Sequence, residues 1–200
     1  DTPLAPISGT RVLRFADLVA EAGNTVTLAQ GNPDQPAFVL ASSGSTGKPK
    51  LIVRSHRSFY HRLCWTWANH PYAPEERCVQ KSTMTTTHAI YELFEPLLRG
   101  VPTLVLGDPE SRDLKGFWET INAWSITRLL VVPSALQVSM EFPGFAVPAL
   151  KVVVLMGEYV HQRLAARAIE VFPARTSLYS IYGSTEASST LVCDLRESYR

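Results

Sequence analysis

Between Ser42 and Lys50 the chain gathers four hydroxyls, two glycines and two lysines. The run is Ser42, Ser43, Gly44, Ser45, Thr46, Gly47, Lys48, Pro49 and Lys50. Glycine tolerates positive φ and lets backbone amides come close to an anion. The hydroxyls add donors and the lysines add charge, so such a loop can wrap a polyphosphate. On composition alone it could equally be a polar turn. A Walker A loop needs a glycine five residues before the glycine of its Gly-Lys pair, and Ser or Thr after the lysine. Ser42 and Pro49 stand at those two places. Pro49 also lacks an amide hydrogen and disfavours a helix running straight on from Lys48. The spacing therefore argues against a P-loop NTPase.

The loop needs elements on either side to hold it. The apolar pattern predicts a strand over 37–41 before it and another over 51–53 after it. Further strands are predicted over 10–14, 77–82, 103–106, 128–132, 152–156, 177–181 and near 190–193. Helices are predicted over 15–22, 56–69, 90–99, 117–124, 134–140 and 160–172. The helix over 56–69 should stop at His70-Pro71, because a residue before proline avoids the α region. Gly100 should close the helix over 90–99. Val160, Leu164, Ala168 and Phe172 recur every fourth residue, the mark of an amphipathic helix. Residues 107–116 and 141–148 read as loops. Uniformly apolar strands alternating with helices predict an α/β fold, a mainly parallel sheet flanked by helices. Ligands in such folds sit at the carboxyl ends of strands. Loop 42–49, Gly157-Glu158 and Tyr182 to Glu186 each follow a predicted strand directly.

Composition bounds the rest. The 200 residues are 46% hydrophobic and 18% charged, enough to build a core, and the net charge is +1. A nearly neutral chain offers no overall field for nucleic acid or an anionic membrane, so any phosphate binding must be local. Cys64, Cys78 and Cys193 are widely spaced with no CxxC pair, which predicts reduced thiols rather than a zinc ribbon or disulfide framework. No apolar run approaches the roughly 20 residues that span a bilayer. No secretory signal pattern opens the chain. A cytoplasmic location is the expectation.

The run from Ser43 to Lys50 resembles the phosphate-loop signature of adenylate-forming enzymes: acyl-CoA synthetases, luciferases and nonribosomal peptide synthetase adenylation domains. Leu51 stands where many members carry glycine. Tyr182-Gly183-Ser184-Thr185-Glu186, 135 residues beyond Gly47, resembles that family's Tyr-Gly motif. The resemblance implies that Tyr182 packs on adenine, Thr185 contacts the α-phosphate and Glu186 binds Mg²⁺. Chemically, an aromatic face suits a base and oxygen ligands suit Mg²⁺. Ser180 and Ser184 replace a frequent asparagine and a frequent proline. Met156-Gly157-Glu158 is similar to the Gly-Gly-Glu segment bordering the adenine pocket, with Met156 in place of the first glycine. Residues 83–100 resemble the acyl-pocket segment of peptide-synthetase adenylation domains. Members that activate α-amino acids carry an aspartate there, and Thr87 occupies that place, followed by His88. An ordinary α-amino acid is therefore not the expected substrate. The stretch from His61 to Trp67, with Pro71 and Tyr72, looks like the matching helix of insect-type β-alanyl-amine synthetases. Trp65 and Trp67, two apart, cannot share one helical face.

The resemblance implies ATP-dependent carboxylate activation to an acyl- or aminoacyl-adenylate. Ser43, Gly44, Ser45, Thr46, Gly47, Lys48 and Lys50 would hold the β- and γ-phosphates. Gly157, Glu158, Tyr182 and Gly183 would border the nucleotide, and Thr185 and Glu186 would act at the reacting phosphate with Mg²⁺. Thr87, His88, Tyr91 and Met156 would form a polar, uncharged carboxylate pocket. ATP and Mg²⁺ are the implied cofactors. A phosphopantetheinyl carrier domain, coenzyme A or an amine is the implied acceptor. The ribose-binding aspartate and the lysine-bearing C-terminal subdomain of the family have no counterpart in residues 187–200. The 200 residues therefore read as part of an adenylation domain, inactive alone. The other reading open at this point is a non-catalytic module that binds nucleotide or a partner.

Overall fold

A computed structural model describes residues 31–42, 50–107 and 113–199. Pro33–Arg200 form one compact unit, distinct from Asp1–Asn32. The strand and helix expected over 10–14 and 15–22 lie outside the described residues, as does loop 43–49.

Two strands flank that loop. β1 (Pro36–Ser42) and β2 (Lys50–Ser55) pair antiparallel, and Ser42 faces Lys50 at the end of the ladder. β1 and β2, which precede and follow residues 43–49, are thus antiparallel partners and not strands of a parallel sheet. Helix α1 (His56–Asn69) starts directly after β2, where the Ser55 hydroxyl accepts from the Ser58 amide. It ends before His70-Pro71 as expected. β3 (Cys78–Gln80) and β4 (Thr103–Val105) form a parallel pair around helix α2 (Thr87–Leu97). Helix α2 begins three residues earlier than predicted because Thr86 caps it, its hydroxyl accepting from the Ala89 amide. Gly100 takes φ +68 just beyond it. Helix α3 (Leu114–Ala123) occupies the end of the stretch predicted as a loop over 107–116, with Asp113 as its cap.

The centre is a four-stranded sheet, ordered β5 (Arg128–Val131), β6 (Val152–Met156), β7 (Ser177–Ser184) and β8 (Ser188–Asp194). The first three strands are parallel and β8 returns antiparallel. Helix α4 (Pro133–Ser139) follows β5, α5 (Gln162–Val171) connects β6 to β7, and α6 (Leu195–Ser198) follows β8. The α/β class holds, with the parallel order confined to β3–β4 and β5–β7. The sequence pattern stopped β7 at residue 181, whereas the strand continues through Ser184, so Tyr182 and Gly183 are strand residues.

Successive strand residues point to opposite faces, and the two faces of this sheet differ. Leu129, Val131, Val153, Leu155 and Leu178 face a closed core with Phe117, Trp118, Leu136, Leu164 and Ala168. Val160, Leu164, Ala168 and Phe172 are all buried, as their four-residue spacing requires. The other face, with Leu130, Val154, Met156 and Ile181, looks toward α1 and α2 across a cavity of about 80 Å³. The three cysteines are unpaired, and burial pushes the Cys78 thiol up to about 12. No helix among the described residues is long and apolar enough to cross a membrane.

Arg128 ties this face to the segment before β3. Its guanidinium pairs with the buried Glu76 carboxylate, donates to the His70 carbonyl at 2.8 Å, and lies 3.9 Å over the Tyr72 ring. Truncating one partner of a buried ion pair strands the other charge. Arg128→Met is therefore expected to lower unfolding free energy in urea by about 3–5 kcal/mol. A loss below about 1 kcal/mol, the scale of an exposed pair, would show that solvent already screens it.

Candidate functional site

The site residues arrive on three elements. Helix α2 supplies Thr87, His88 and Tyr91 from its first two turns. Strand β6 supplies Met156 at its carboxyl end, followed by Gly157 at φ +97. A side chain at Gly157 would meet His88 Cε1 at 3.4 Å and Val132 Cγ1 at 3.5 Å. His88 thus lies against the glycine, and positive φ makes that position costly for other residues. The Thr87 hydroxyl is buried with no hydrogen-bond partner among the described residues. Tyr91 and Met156 are both buried and line the 80 Å³ cavity with Leu130, Val154 and Ile181. Tyr91 closes its own polar account: its hydroxyl lies 2.7 Å from Ser188 Oγ.

The third element is the β7–β8 hairpin. Its register shifts at Tyr182/Gly183, a bulge. A Cβ on Gly183 would sit 2.1 Å from the Ser188 carbonyl oxygen, so no other residue fits this bulge without moving β8. Ser188 opposite adopts φ +61, a left-handed geometry that a non-glycine residue holds only under constraint. The Tyr91 hydroxyl meets the Ser188 side chain at this point. Ser184, in place of the family's frequent proline, closes the turn by accepting from the Ala187 amide at 3.1 Å. Tyr182 is 71% exposed, so its ring face is available for stacking. Thr185 is half-buried and Glu186 exposed in the turn itself. The Glu186 carboxylate makes no hydrogen bond or ion pair among the described residues.

The side chain of Glu158 is engaged as a helix cap. Its carboxylate accepts from the Ser134 amide and hydroxyl, both at 2.8 Å, and so caps helix α4. Only its backbone remains to border a nucleotide. Lys50 is exposed at the base of the β1–β2 hairpin. Ser43, Gly44, Ser45, Thr46, Gly47 and Lys48 lie outside the described residues.

Two groups escaped the sequence reading. The first is Arg54 on β2, only 8% exposed. It donates to the carbonyls of Thr185 and Glu186 and to Ser58 Oγ. Its signal was its parity with Ile52, the inward-facing position of β2. The second is Arg62 on α1, which pairs with Glu95 at 3.2 Å and donates to Ser189 Oγ at 2.9 Å. Arg62 also lies 5.0 Å from the centre of the Tyr91 ring. Burial raises the Glu95 carboxyl above its ordinary range, and Arg62 and Thr66 oppose that rise. As their spacing requires, Trp65 and Trp67 diverge. Trp65 lines the cavity, while Trp67 donates to the Glu95 carbonyl at 3.0 Å.

The family pattern described as AMP-binding enzyme matches residues 5–200. The chain belongs to the AMP-binding enzyme family. Among its relatives is the beta-alanyl-bioamine nonribosomal peptide synthetase ebony of Drosophila melanogaster, 32% identical over 93% of this chain and 23% of that protein. That likeness agrees with the helix from His61 to Trp67. Tyrocidine synthase 3 of Brevibacillus parabrevis is 33% identical over 78% of this chain and 2% of its own length. The chain thus spans less than a quarter of the length of either relative. Two solved structures share the fold. The nonribosomal peptide synthetase FmoA3, in an AMPPNP-bound form, has a TM-score of 0.83 at 23% identity, covering 96% of this chain and 21% of that one. The Vibrio cholerae adenylation domain AlmE, in complex with glycyl-adenosine-5'-phosphate, has a TM-score of 0.72 at 24% identity, covering 82% and 31%.

This AMP-binding enzyme holds His88 in its neutral form near pH 7. Burial holds the imidazole below its ordinary 6.5, with Glu92 opposing and Lys81 reinforcing the shift. Unfolding frees His88 to bind a proton at higher pH than the folded protein allows. Its contribution is therefore complete above 6.5 and declines as pH falls below that value. His88→Gln is expected to flatten the acid side of a thermal-midpoint profile between about pH 5 and 7. An unchanged slope would mean that His88 titrates alike in both states.

Proposed function

We propose that this chain carries the carboxylate-activating site of an adenylate-forming enzyme of the peptide-synthetase type. The observation that carries the reading is the juncture made by Arg54. It fastens the β1–β2 pair, whose strands precede and follow the glycine- and lysine-rich loop in sequence, to the turn that presents Thr185 and Glu186. Family membership supplies the reaction class. A carboxylate oxygen attacks the α-phosphorus of ATP, a new P–O bond forms, and the bond to the bridging oxygen breaks to release pyrophosphate.

The residues divide the work by position and charge. Lys48 and Lys50, with the hydroxyls of Ser43, Ser45 and Thr46 and the amides at Gly44 and Gly47, offset the β- and γ-phosphate charge. Tyr182 stacks on adenine, while the backbone of Gly157, Glu158 and Gly183 borders the nucleotide. Thr185 donates to the α-phosphate. Glu186 fits Mg²⁺, because its carboxylate is exposed and uncommitted among the described residues and the ion prefers oxygen ligands. Bound there, Mg²⁺ would neutralise phosphate charge. Catalysis then rests on orientation and preorganised electrostatics.

Thr87, neutral His88, Tyr91 and Met156 form the carboxylate pocket. They favour a small substrate with a polar, hydrogen-bonding end. No aspartate stands at Thr87 to pair with an α-ammonium group. β-Alanine is the first substrate to test, because the relative named for β-alanyl transfer matches most of this chain. The acceptor is a carrier-domain pantetheine thiol, coenzyme A or an amine. A supply of ATP favours the cytoplasm as the place of work.

ATP–pyrophosphate exchange by the protein at its natural length, across a panel including β-alanine, glycine and aryl acids, tests this reading. Thr185→Ala and Glu186→Gln are each expected to reduce exchange by about 10²–10³. Exchange at the unsubstituted rate in both variants would refute the assignment.

A further inference from the structure

Arg54 is a buried cation with no anionic partner in contact among the described residues. Its guanidinium touches three neutral oxygens: the Thr185 and Glu186 carbonyls and the Ser58 hydroxyl, the last at 2.6 Å. Arg62 pairs with Glu95 and Arg128 with Glu76, whereas the Arg196 guanidinium, like that of Arg54, is met by carbonyls, those of Thr176, Phe172 and Pro173. Asp34 and Glu186 line the same open cleft of about 310 Å³ as Arg54, yet neither pairs with it. Asp34 bonds Arg57 instead, at 2.7 Å. Buried charge is costly unless an opposite charge or strong hydrogen bonds offset it. Carbonyl dipoles satisfy its donors but leave a net positive charge behind the turn.

We infer that Arg54 is a positioning residue that fixes the Thr185–Glu186 turn and whose unneutralised charge draws in the polyphosphate of ATP. The inference rests on the proposed ATP site. Two features support it. The guanidinium fork spans both turn carbonyls and Ser58 at once, which a lysine ammonium cannot reproduce. Arg54 also lies on the strand that begins at Lys50, four residues or about 13 Å of extended chain from the hairpin's last pair. A polyphosphate that meets both the hairpin and the turn therefore passes close to this charge.

Calorimetric binding of ATP, pyrophosphate and adenosine to the protein at its natural length tests it, alongside exchange kinetics. Arg54→Met is expected to weaken pyrophosphate and ATP by about tenfold or more, with adenosine affinity unchanged and KM for the carboxylate within about twofold. Arg54→Lys keeps the charge but loses the fork. It should keep pyrophosphate affinity within about threefold while kcat falls by about tenfold and more Mg²⁺ is needed for half-maximal rate. Arg54→Lys also serves if Arg54→Met does not fold. A merely structural role would lower thermal stability and leave these ratios alone. Unchanged pyrophosphate affinity in Arg54→Met, or unchanged kcat and Mg²⁺ demand in Arg54→Lys, would overturn the inference. An unsubstituted protein that binds ATP and pyrophosphate through Arg54 but exchanges no carboxylate would sink the reaction and leave the inference standing. Failure of the unsubstituted protein to bind any polyphosphate would end both.

Discussion

The guanidinium of Arg54 joins two pieces of chain 131 residues apart. On one side is the β1–β2 hairpin, which pairs only with itself and stands apart from the main sheet. On the other is the β7–β8 turn, at the end of a sheet packed on a closed core. Backbone hydrogen bonding within either hairpin says nothing about where the other lies. The fork of Arg54 supplies that relation, because it must reach two consecutive carbonyls and Ser58 together. Its burial makes the geometry exacting, since a guanidinium withdrawn from water cannot leave donors unmet.

A second connection runs parallel to the first and is apolar until its last step. Phe38 on β1 meets Phe59 on α1 edge-on at 5.4 Å, and Phe59 meets Tyr91 on α2 at 5.9 Å. The Tyr91 hydroxyl then reaches Ser188. The β1–β2 pair is therefore held to both ends of the turn, at 185–186 by the Arg54 hydrogen bonds and at 188 through ring contacts. Ser188, where β8 begins, carries both this contact and the left-handed backbone. The proposed carboxylate pocket and nucleotide turn meet at Tyr91, which belongs to both.

Much of this was legible beforehand, and the parts that were not share a cause. Strands 128–131 and 152–156 are short apolar runs with clear stops. Helix 56–69 is bounded by Pro71, and helix 162–171 by its four-residue spacing. Those signals are local. The antiparallel return of β8 was not legible, since strand direction depends on a partner rather than on the strand itself. The start of α2 lay hidden in a run of hydroxyl residues, any of which could cap. Arg54 went unread because its acceptors are carbonyls, which carry no sequence signature. The contact of the Glu158 side chain with Ser134, 24 residues away, also left no local pattern. The order of the loop, the Gly-Glu pair and the Tyr-Gly turn along the chain placed it in its family before any coordinates did.

The central sheet buries its two faces unequally. One is filled by α3, α4 and α5, with Val153, Leu155 and Leu178 fully enclosed. The other fronts the cavity with Leu130, Val154, Met156 and Ile181. Strand residues alternate between the faces, so neighbours in sequence answer to different demands. Leu155 is bound by close packing, where a lost methylene leaves a void. Val154 and Met156, on either side of it, border space already empty. Mutational drift can therefore remodel the cavity wall one residue at a time while the odd-numbered positions of β6 keep the domain folded. A lineage could explore new small molecules on this scaffold without first surrendering its stability.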